Sequence, residues 1–161
     1  MLFRSTQAGP VISSGGAVFR VDPDFATPTD IDYRVAFEIA RPAASPDEPN
    51  AAINTVARFL NMHAQAGVAP ERLSGAIVAH GGASMELLND EAYRARFGVD
   101  NPNRDLILEL IERDQPVILC GQSAASRGID ASELLPGVQV ALSAMTAFIA
   151  LQDRGYRVNP W

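Results

Sequence analysis

The stretch VILCGQSAASRGI (residues 117–129) decides how this chain is organised. Three apolar residues lead into Cys120, the single cysteine of the chain, and a glycine with small or polar residues follows it. A short apolar run that ends at a glycine turn is typical of a buried strand in a parallel sheet. The stretch therefore predicts a strand over PVILC (116–120), then a tight turn with one helical turn that ends at Gly128.

The same alternation of strand and helix extends to both sides of this stretch. Strands are predicted over 33–40, 75–79 and 138–142, helices over 51–66, 104–113 and 144–154, a shorter helical piece over 90–98, and a last strand or tail over 156–161. The predicted N-caps are Asn50, Ser84, Asn103 and Ser143, with a capping box from Asp130 to Glu133. This order predicts an α/β domain with a largely parallel sheet, in which ligands bind beyond the carboxyl ends of the strands.

Residues 1–31 differ in composition from residues 32–161, because Gly, Pro, Ser and Asp interrupt them throughout. We therefore divide the chain into an N-terminal arm (1–31) and one α/β domain (32–161). Two apolar pieces, 11–12 and 17–21, flank SSGG and predict a small hairpin. The arm is expected to lie over the domain or over a neighbouring subunit, and a partly ordered tail is the alternative.

Composition limits the classes of partner and the compartment. The 161 residues carry a net charge of −6, which disfavours binding to nucleic acid. No basic run favours a membrane surface, and no apolar run approaches the ~20 residues that span a bilayer. A single cysteine forms no internal disulfide. The start MLFRSTQAGP has no apolar core of a signal peptide, which favours the cytoplasm, with the periplasm as the alternative if a signal was removed.

Cys120 lies where catalytic residues occur in parallel α/β sheets. The backbone N–H groups of Gly121, Gln122 and Ser123 follow it at the start of a helical turn, an environment that favours a thiolate. His80 follows the neighbouring predicted strand, and a Cys–His pair is a common way to activate a thiol. The alternatives are a buried thiol that acts as a small hydrophobic residue and a turn histidine that bonds to backbone.

Other polar residues give weaker indications. HGGAS (80–84), with Gly81 and Gly82, has the form of an anion-binding turn, although it matches no nucleotide motif and a structural role is favoured. Glu38 is either an acid near the site or a solvated strand end, and His63 is expected to be a packed or interface histidine. One cysteine and two distant histidines match no zinc spacing, so neither a metal nor another cofactor is predicted.

Five segments together resemble the DsrE/DsrF-like family of sulfur-relay proteins, over about residues 32–161. They are VARFLNMHAQAGV, AIVAHGGA, VILCGQSAASRGI, LLPGVQVALSAM and ALQDRGY. The resemblance implies a three-layer α/β/α sandwich with a mostly parallel sheet of about five strands, assembled as a trimer or hexamer. In members that carry sulfur, a cysteine holds it as a persulfide, and this role maps onto Cys120. Other members lack the cysteine.

Three functions follow as hypotheses. The first is a sulfur carrier or sulfurtransferase-like protein in which Cys120 accepts sulfur from a donor protein or passes it to an acceptor protein. His80, Gly81, Gly82, Gly121, Gln122 and Ser123 would then surround the reacting sulfur. The second is a module that binds a small anion without catalysis, and the third is a structural subunit of an oligomer. Whether the protein turns over or only carries sulfur stays open at this stage.

Overall fold

The computed structural model describes residues 5–159. The strands are β1 (Thr6–Gln7), β2 (Val18–Phe19), β3 (Tyr33–Ile39), β4 (Leu73–Ala79), β5 (Val117–Cys120), β6 (Gln139–Ala141) and β7 (Arg157–Asn159). The α-helices are α1 (Ala51–Gln65), α2 (Asp90–Phe97), α3 (Arg104–Glu112), α4 (Gly121–Ser126) and α5 (Ala144–Asp153). Short 3-10 helices cover Pro70–Arg72, Gly81–Leu87 and Ala131–Glu133. Within residues 5–159, the strands and α-helices predicted for the α/β domain are present, with ends shifted by one or two residues.

The predicted parallel sheet is confirmed in the described residues. Five strands lie in the order β6-β5-β4-β3-β7, and every neighbouring pair is parallel. β3 and β4 are paired along seven residues and form the centre of the sheet. The segment 156–161, predicted as a strand or tail, supplies β7 at the edge beside β3, and its residues 160–161 lie outside the described range.

The first sheet face is covered by α1 and α3. Ile53, Val56, Ala57 and Leu60 of the predicted α1 stripe are buried, whereas Ala64 is half-buried. A Cβ atom at Gly75 would lie 2.8 Å from Val56 Cγ1, so the glycine in β4 lets the helix approach the sheet closely. Each fully buried Ile, Val or Leu contributes about 1.5–3 kcal/mol, which makes this face the main source of stability.

The second face of the sheet is covered by α5, the one α-helix that packs on it within residues 5–159. Small side chains of the sheet, Ala36 and Ala76, meet Ala147 and Leu151 of the helix. With α1 and α3 on one face of the sheet and α5 on the other, the domain is a three-layer α/β/α sandwich, as predicted. The opposite side of α5 stays uncovered, since Met145 is 74 % exposed and Ile149 is 69 % exposed.

The arm forms a hairpin, but not the predicted one. β1 pairs with β2 through Thr6–Phe19 and Gln7–Val18, so the expected pairing of residues 11–12 with 17–21 is wrong. Ile12 is fully buried instead, and its backbone N–H and C=O are both hydrogen-bonded to the Asn61 side chain. Asn61 Oδ1 accepts from Ile12 N at 2.9 Å, and Asn61 Nδ2 donates to Ile12 O at 2.9 Å. The arm therefore lies over α1 of its own chain.

Two predicted N-caps and the capping box are confirmed. Asn50 Oδ1 accepts from Ala52 N at 2.9 Å, and Ser143 Oγ accepts from Thr146 N at 3.1 Å. Asp130 and Glu133 form the reciprocal capping box of the last 3-10 helix. These local patterns hold because the side chain and the orphan N–H groups belong to the same turn.

The other two predicted N-caps are wrong. Asn103 makes no side-chain cap, because its Oδ1 accepts from Asn50 N at 2.6 Å across the fold. Ser84 does not begin a helix, since it lies inside the 3-10 helix Gly81–Leu87, whose N-cap residue is His80. For Asn103, a partner across the fold replaces the local cap. For Ser84, the helix begins earlier than predicted, at Gly81.

Candidate active site at the thiol of Cys120

Cys120 ends β5 and occupies the N-cap position of α4, and it is 6 % exposed. Its backbone is extended, with φ −65° and ψ 115°. Ile118, two residues earlier on the same strand, packs with the α5 side of the sheet. Since side chains alternate along a strand, the thiol projects to that same face, towards the start of α5.

Neighbouring polar groups affect the ionisation of the Cys120 thiol. Burial alone would raise the pKa of the Cys120 thiol. The Ser123 hydroxyl and the backbone N–H groups of Ser123, Ala144 and Gln122 bond to the sulfur and outweigh burial, so that the pKa lies below its ordinary value. These donors favour the thiolate because they stabilise the negative charge.

Two glycines allow the backbone to close around the thiol. A Cβ atom at Gly121 would lie 2.5 Å from Ala141 O, so a side chain there would push β6 away from the start of α4. Gly81 has φ +58°, a conformation that favours glycine. Its N–H donates to Ser123 Oγ at 3.1 Å, which joins the turn after β4 to the site.

His80 lies at the end of β4, beside β5, and its imidazole has a carboxylate partner. His80 Nε2 and Glu38 Oε1 are 2.7 Å apart, and Glu38 comes from the neighbouring strand β3. Within residues 5–159, no hydrogen bond joins this imidazole to the thiol. Glu38 is exposed and bonds to His80, so both interpretations of Glu38 stay open, and the contact between His80 and Cys120 stays a prediction.

Gly82 contacts a different part of the surface. A Cβ atom there would lie 2.8 Å from Pro42 Cδ. Gly82 lines a small, mostly apolar cavity of about 200 Å³ with Met85 and Tyr93, and Cys120 is not part of that lining. The turn HGGAS is therefore divided, with Gly81 bonded to Ser123 of the thiol site and Gly82 packed against the loop after β3.

The model of the DsrE/DsrF-like family matches residues 32–160, about four fifths of the chain. The chain belongs to the DsrE/DsrF-like family. The match begins at residue 32, so the arm lies outside it. No curated protein matches the chain.

Two solved structures share the fold of this DsrE/DsrF-like chain. Protein MTH1491 of Methanobacterium thermoautotrophicum, described as being of unknown function, has 20% identity and a TM-score of 0.59, over 80% of this chain and 98% of its own. The ychN protein of E. coli has 15% identity and a TM-score of 0.56, over 78% of this chain and 96% of its own. At these identities the likeness shows the fold alone.

The sequence of this family member did not by itself indicate that the Ala144 amide reaches the thiol. Ser143 was predicted as the cap of α5, and that cap places the N-terminal amides of α5 beside the end of β5. The sequence did contain one indication of this contact, the serine directly after the predicted strand 138–142. What the sequence lacked was the information that β6 lies next to β5.

A buried polar cluster behind the site was also missed. Glu86 is 2 % exposed, and its carboxylate accepts from Ala43 N at 2.7 Å and from Asn50 Nδ2 at 3.2 Å. Asn103 Nδ2 donates to the other carboxylate oxygen. The cluster holds the loop after β3 against the 3-10 helix Gly81–Leu87. Because its donors are satisfied by the carboxylate, it has a structural role.

His63 is packed, as expected. Its Nδ1 donates to Phe59 O at 2.8 Å, and its ring lies 4.7 Å from each of the rings of Tyr33 and Phe59. In the part of the chain that the structure describes, no three His, Cys, Asp or Glu residues are grouped to hold a metal ion. None of the described helices is long and apolar enough to cross a membrane.

Proposed function

We propose that this protein carries sulfane sulfur as a persulfide on Cys120. The observation that supports the proposal is the position of Cys120 at the end of β5 and at the N-cap of α4, where the Ser123 side chain and the N–H groups of Ser123, Ala144 and Gln122 lower the pKa of the thiol against burial. Donors of this kind stabilise a thiolate, which is the nucleophilic form of cysteine. They also stabilise the anionic form of a persulfide at the same position. Membership of the DsrE/DsrF-like family agrees with sulfur-relay chemistry.

The loading step balances without an external oxidant. The Cys120 thiolate attacks the outer sulfur of a hydropersulfide R–S–SH, and a new S–S bond forms to Cys120. The S–S bond of the donor breaks, and the donor leaves as the thiolate R–S⁻ with the electron pair. The product is Cys120–S–SH. An acceptor thiolate then attacks the outer sulfur and releases the Cys120 thiolate again.

The geometry favours a donor that is small at the point of attack. Cys120 is 6 % exposed, so only a small group reaches its sulfur without displacing neighbouring residues. The terminal –SH of a hydropersulfide carries no substituent and meets this requirement. His80, held by Glu38, is assigned the role of exchanging a proton with the incoming or departing sulfur, and Gly81 positions Ser123.

The assembly of the protein is part of the proposal. Met145 and Ile149 on α5 are exposed, and so are Leu142, at 73 %, and Val140, at 53 %, beside the same edge of the sheet. An apolar helix face without cover on one side is commonly buried in a closed homo-oligomer. We infer a homo-oligomer, a trimer or hexamer, in which this face is buried near the entrance to Cys120.

The alternative is a module that binds a small anion without covalent chemistry. The same N–H groups of Gln122, Ser123 and Ala144 would bind a sulfate-like or carboxylate group, and Cys120 would only line the site. The two functions differ in one respect: covalent transfer requires the sulfur atom of Cys120, whereas anion binding requires the backbone donors and tolerates serine.

The test is intact mass spectrometry after incubation with glutathione persulfide. The parent protein should gain the mass of one sulfur atom, and reductant should remove it. Cys120→Ser should gain nothing. Cyanide added afterwards accepts the outer sulfur as thiocyanate, and repeated thiocyanate formation with excess donor distinguishes turnover from carrying. A parent protein that gains no sulfur while both proteins bind sulfate would favour the anion-binding module.

A further inference from the structure

We propose that the groove between the arm and α1 binds an amphipathic small molecule with a carboxylate head and an apolar tail. The groove is a mostly apolar cavity with a volume of about 400 Å³. Val18, Val21 and Met62 line it, together with Arg20 and Arg58. This volume lies within the roughly 300–1,000 Å³ range of small-molecule sites.

The groove is built partly from residues outside the family match. One wall comes from β2 and the residues after it, in the arm that precedes the family match, and the other wall comes from the last turns of α1. Gln65 fixes the two walls relative to each other, since its Nε2 donates to Gly9 O at 2.8 Å. Asn61 holds the arm one turn earlier on the helix. The groove is therefore formed by the folded chain itself.

The two arginines determine the charge of the ligand. Within residues 5–159, neither Arg20 nor Arg58 has a carboxylate at ion-pair distance or a side-chain hydrogen bond, although the whole chain carries a net charge of −6. Asp22 and Asp24 lie on the same segment of the arm but do not line the groove. Two unpaired cations beside apolar walls are complementary to a ligand that has one anionic group.

The arrangement of apolar and polar surface determines the shape of the ligand. A second, more polar cavity of about 420 Å³ shares Val18, Arg20 and Gln65 with the first, and adds Ser5 and Gln7. The apolar cavity thus continues into a polar one at Arg20. A guanidinium binds a carboxylate through two parallel hydrogen bonds. The tail would lie against Met62 and Val21, and the carboxylate would lie at the arginines.

The proposal is independent of sulfur chemistry, because Cys120 lines neither cavity. The probe is sodium decanoate, titrated into the full chain by isothermal calorimetry below its micelle concentration. We expect saturable binding of one decanoate per chain, and binding of decanol weaker by tenfold or more, because it has the same tail without the charge. Decyltrimethylammonium should not bind. Cys120→Ser should bind decanoate as the parent does.

Variants locate the site. Arg20→Gln and Arg58→Gln should each weaken decanoate binding by roughly tenfold or more, since each removes a charge-assisted hydrogen bond. Arg113→Gln is the matched control, because Arg113 is also exposed but lies at the end of α3, away from the groove. Ala66→Phe should block the cavity from the end of α1. Arg20 is exposed on the arm, so its variant should fold even if Ala66→Phe does not.

Three results would overturn the proposal. If the arginines bind the carboxylate head group, decanol binds more weakly than decanoate. Equal affinities of decanol and decanoate therefore exclude the assignment. An unchanged affinity in both arginine variants excludes it as well. Absence of saturable binding, with the oligomer intact by light scattering, excludes it too.

Discussion

Gly81 and Ser123 are joined by a hydrogen bond from the Gly81 N–H to Ser123 Oγ, 3.1 Å long. The Ser123 side chain also lowers the pKa of the Cys120 thiol, against the effect of burial. A hydroxyl has one proton to donate and lone pairs that accept, so the two interactions coexist. The turn after β4 therefore influences the thiol indirectly, because Gly81 bonds to Ser123 and Ser123 lowers the pKa of Cys120.

Ser123→Ala should raise the pKa of Cys120 towards the free-thiol value of about 8.5. The variant loses the hydroxyl donor, while burial continues to disfavour the thiolate. The rate of alkylation by iodoacetamide, measured against pH, should shift to higher pH. Ser126→Ala is the control, because Ser126 is exposed on the same helix and bonds to Ser123 O. An unshifted profile would show that the hydroxyl does not hold the thiolate.

His80→Ala should also shift this profile upward, but less than Ser123→Ala does. The donors on the sulfur come from α4 and α5, whereas the imidazole bonds to Glu38. The two variants are compared in the same alkylation assay, with Glu38→Gln as a third. A shift for His80→Ala larger than for Ser123→Ala would mean that the imidazole contacts the thiol directly in solution.

Cys120→Ser should leave the fold and assembly unchanged. The serine hydroxyl finds the same backbone N–H groups, so the loss in the free energy of unfolding should be on the order of 1 kcal/mol or less. Thermal melts and light scattering of parent and variant measure it. A cost of ~3 kcal/mol would instead indicate a packing role for the thiol in an apolar environment.

Acid should loosen the contact between the arm and the domain at Glu109. Burial alone would raise the pKa of Glu109, but the hydroxyls and N–H groups of Ser13 and Ser14 lower it to about 2. The folded pKa lies below the unfolded value of about 4.3, so this contact stabilises the fold above pH 4.3. The stabilisation is lost as pH falls from about 4.3 towards 2. After allowance for solvent screening it amounts to about 1 kcal/mol.

Limited proteolysis of the arm as a function of pH measures this effect. Glu109→Gln should make the arm susceptible at neutral pH and remove most of the pH dependence between 4.3 and 2. Glu112→Gln, an exposed change on the same helix, is the control. Equal protection of the arm in Glu109→Gln and in the parent would show that the contacts of Asn61 and Gln65 are sufficient to hold it.

Ile149→Asp should dissociate the oligomer that we infer. Ile149 is 69 % exposed in the single chain, so its replacement costs little stability there, whereas a carboxylate in an apolar interface is strongly disfavoured. Light scattering should show a smaller particle for this variant. Gln152→Asp on the same helix is the control, since Gln152 is exposed and polar already. A parent protein that is monomeric at tens of micromolar would contradict the inference.

The alternation of strands and helices could be predicted from the sequence because periodicity is a local property. The stripe of α1, the strand ends at Cys120 and His80, and the caps at Asn50 and Ser143 all depend on residues within a few positions of each other. The capping box at Asp130 is local in the same way. Each of these features was predicted, and the structure confirms them.

Polar residues with several available partners were predicted less well. Asn103 and Ser84 have the composition of N-caps, yet Asn103 bonds to Asn50 N and to Glu86, and Ser84 lies inside a 3-10 helix. The predicted hairpin of the arm was wrong for the same reason, because the Asn61 side chain forms hydrogen bonds with the backbone N–H and C=O of Ile12. Such a side chain can bond within its own turn or across the fold. Its actual partner is the group that tertiary packing places next to it.

The sequence by itself determined the class of fold, the family and the position of Cys120 at the end of a strand. Only the tertiary structure decided which groups surround the sulfur. The Ala144 amide reaches Cys120 because β6 pairs with β5 and delivers the start of α5, and Gly81 reaches Ser123 because β4 lies on the other side. Strand order follows from the packing of the whole chain, and no local pattern encodes it.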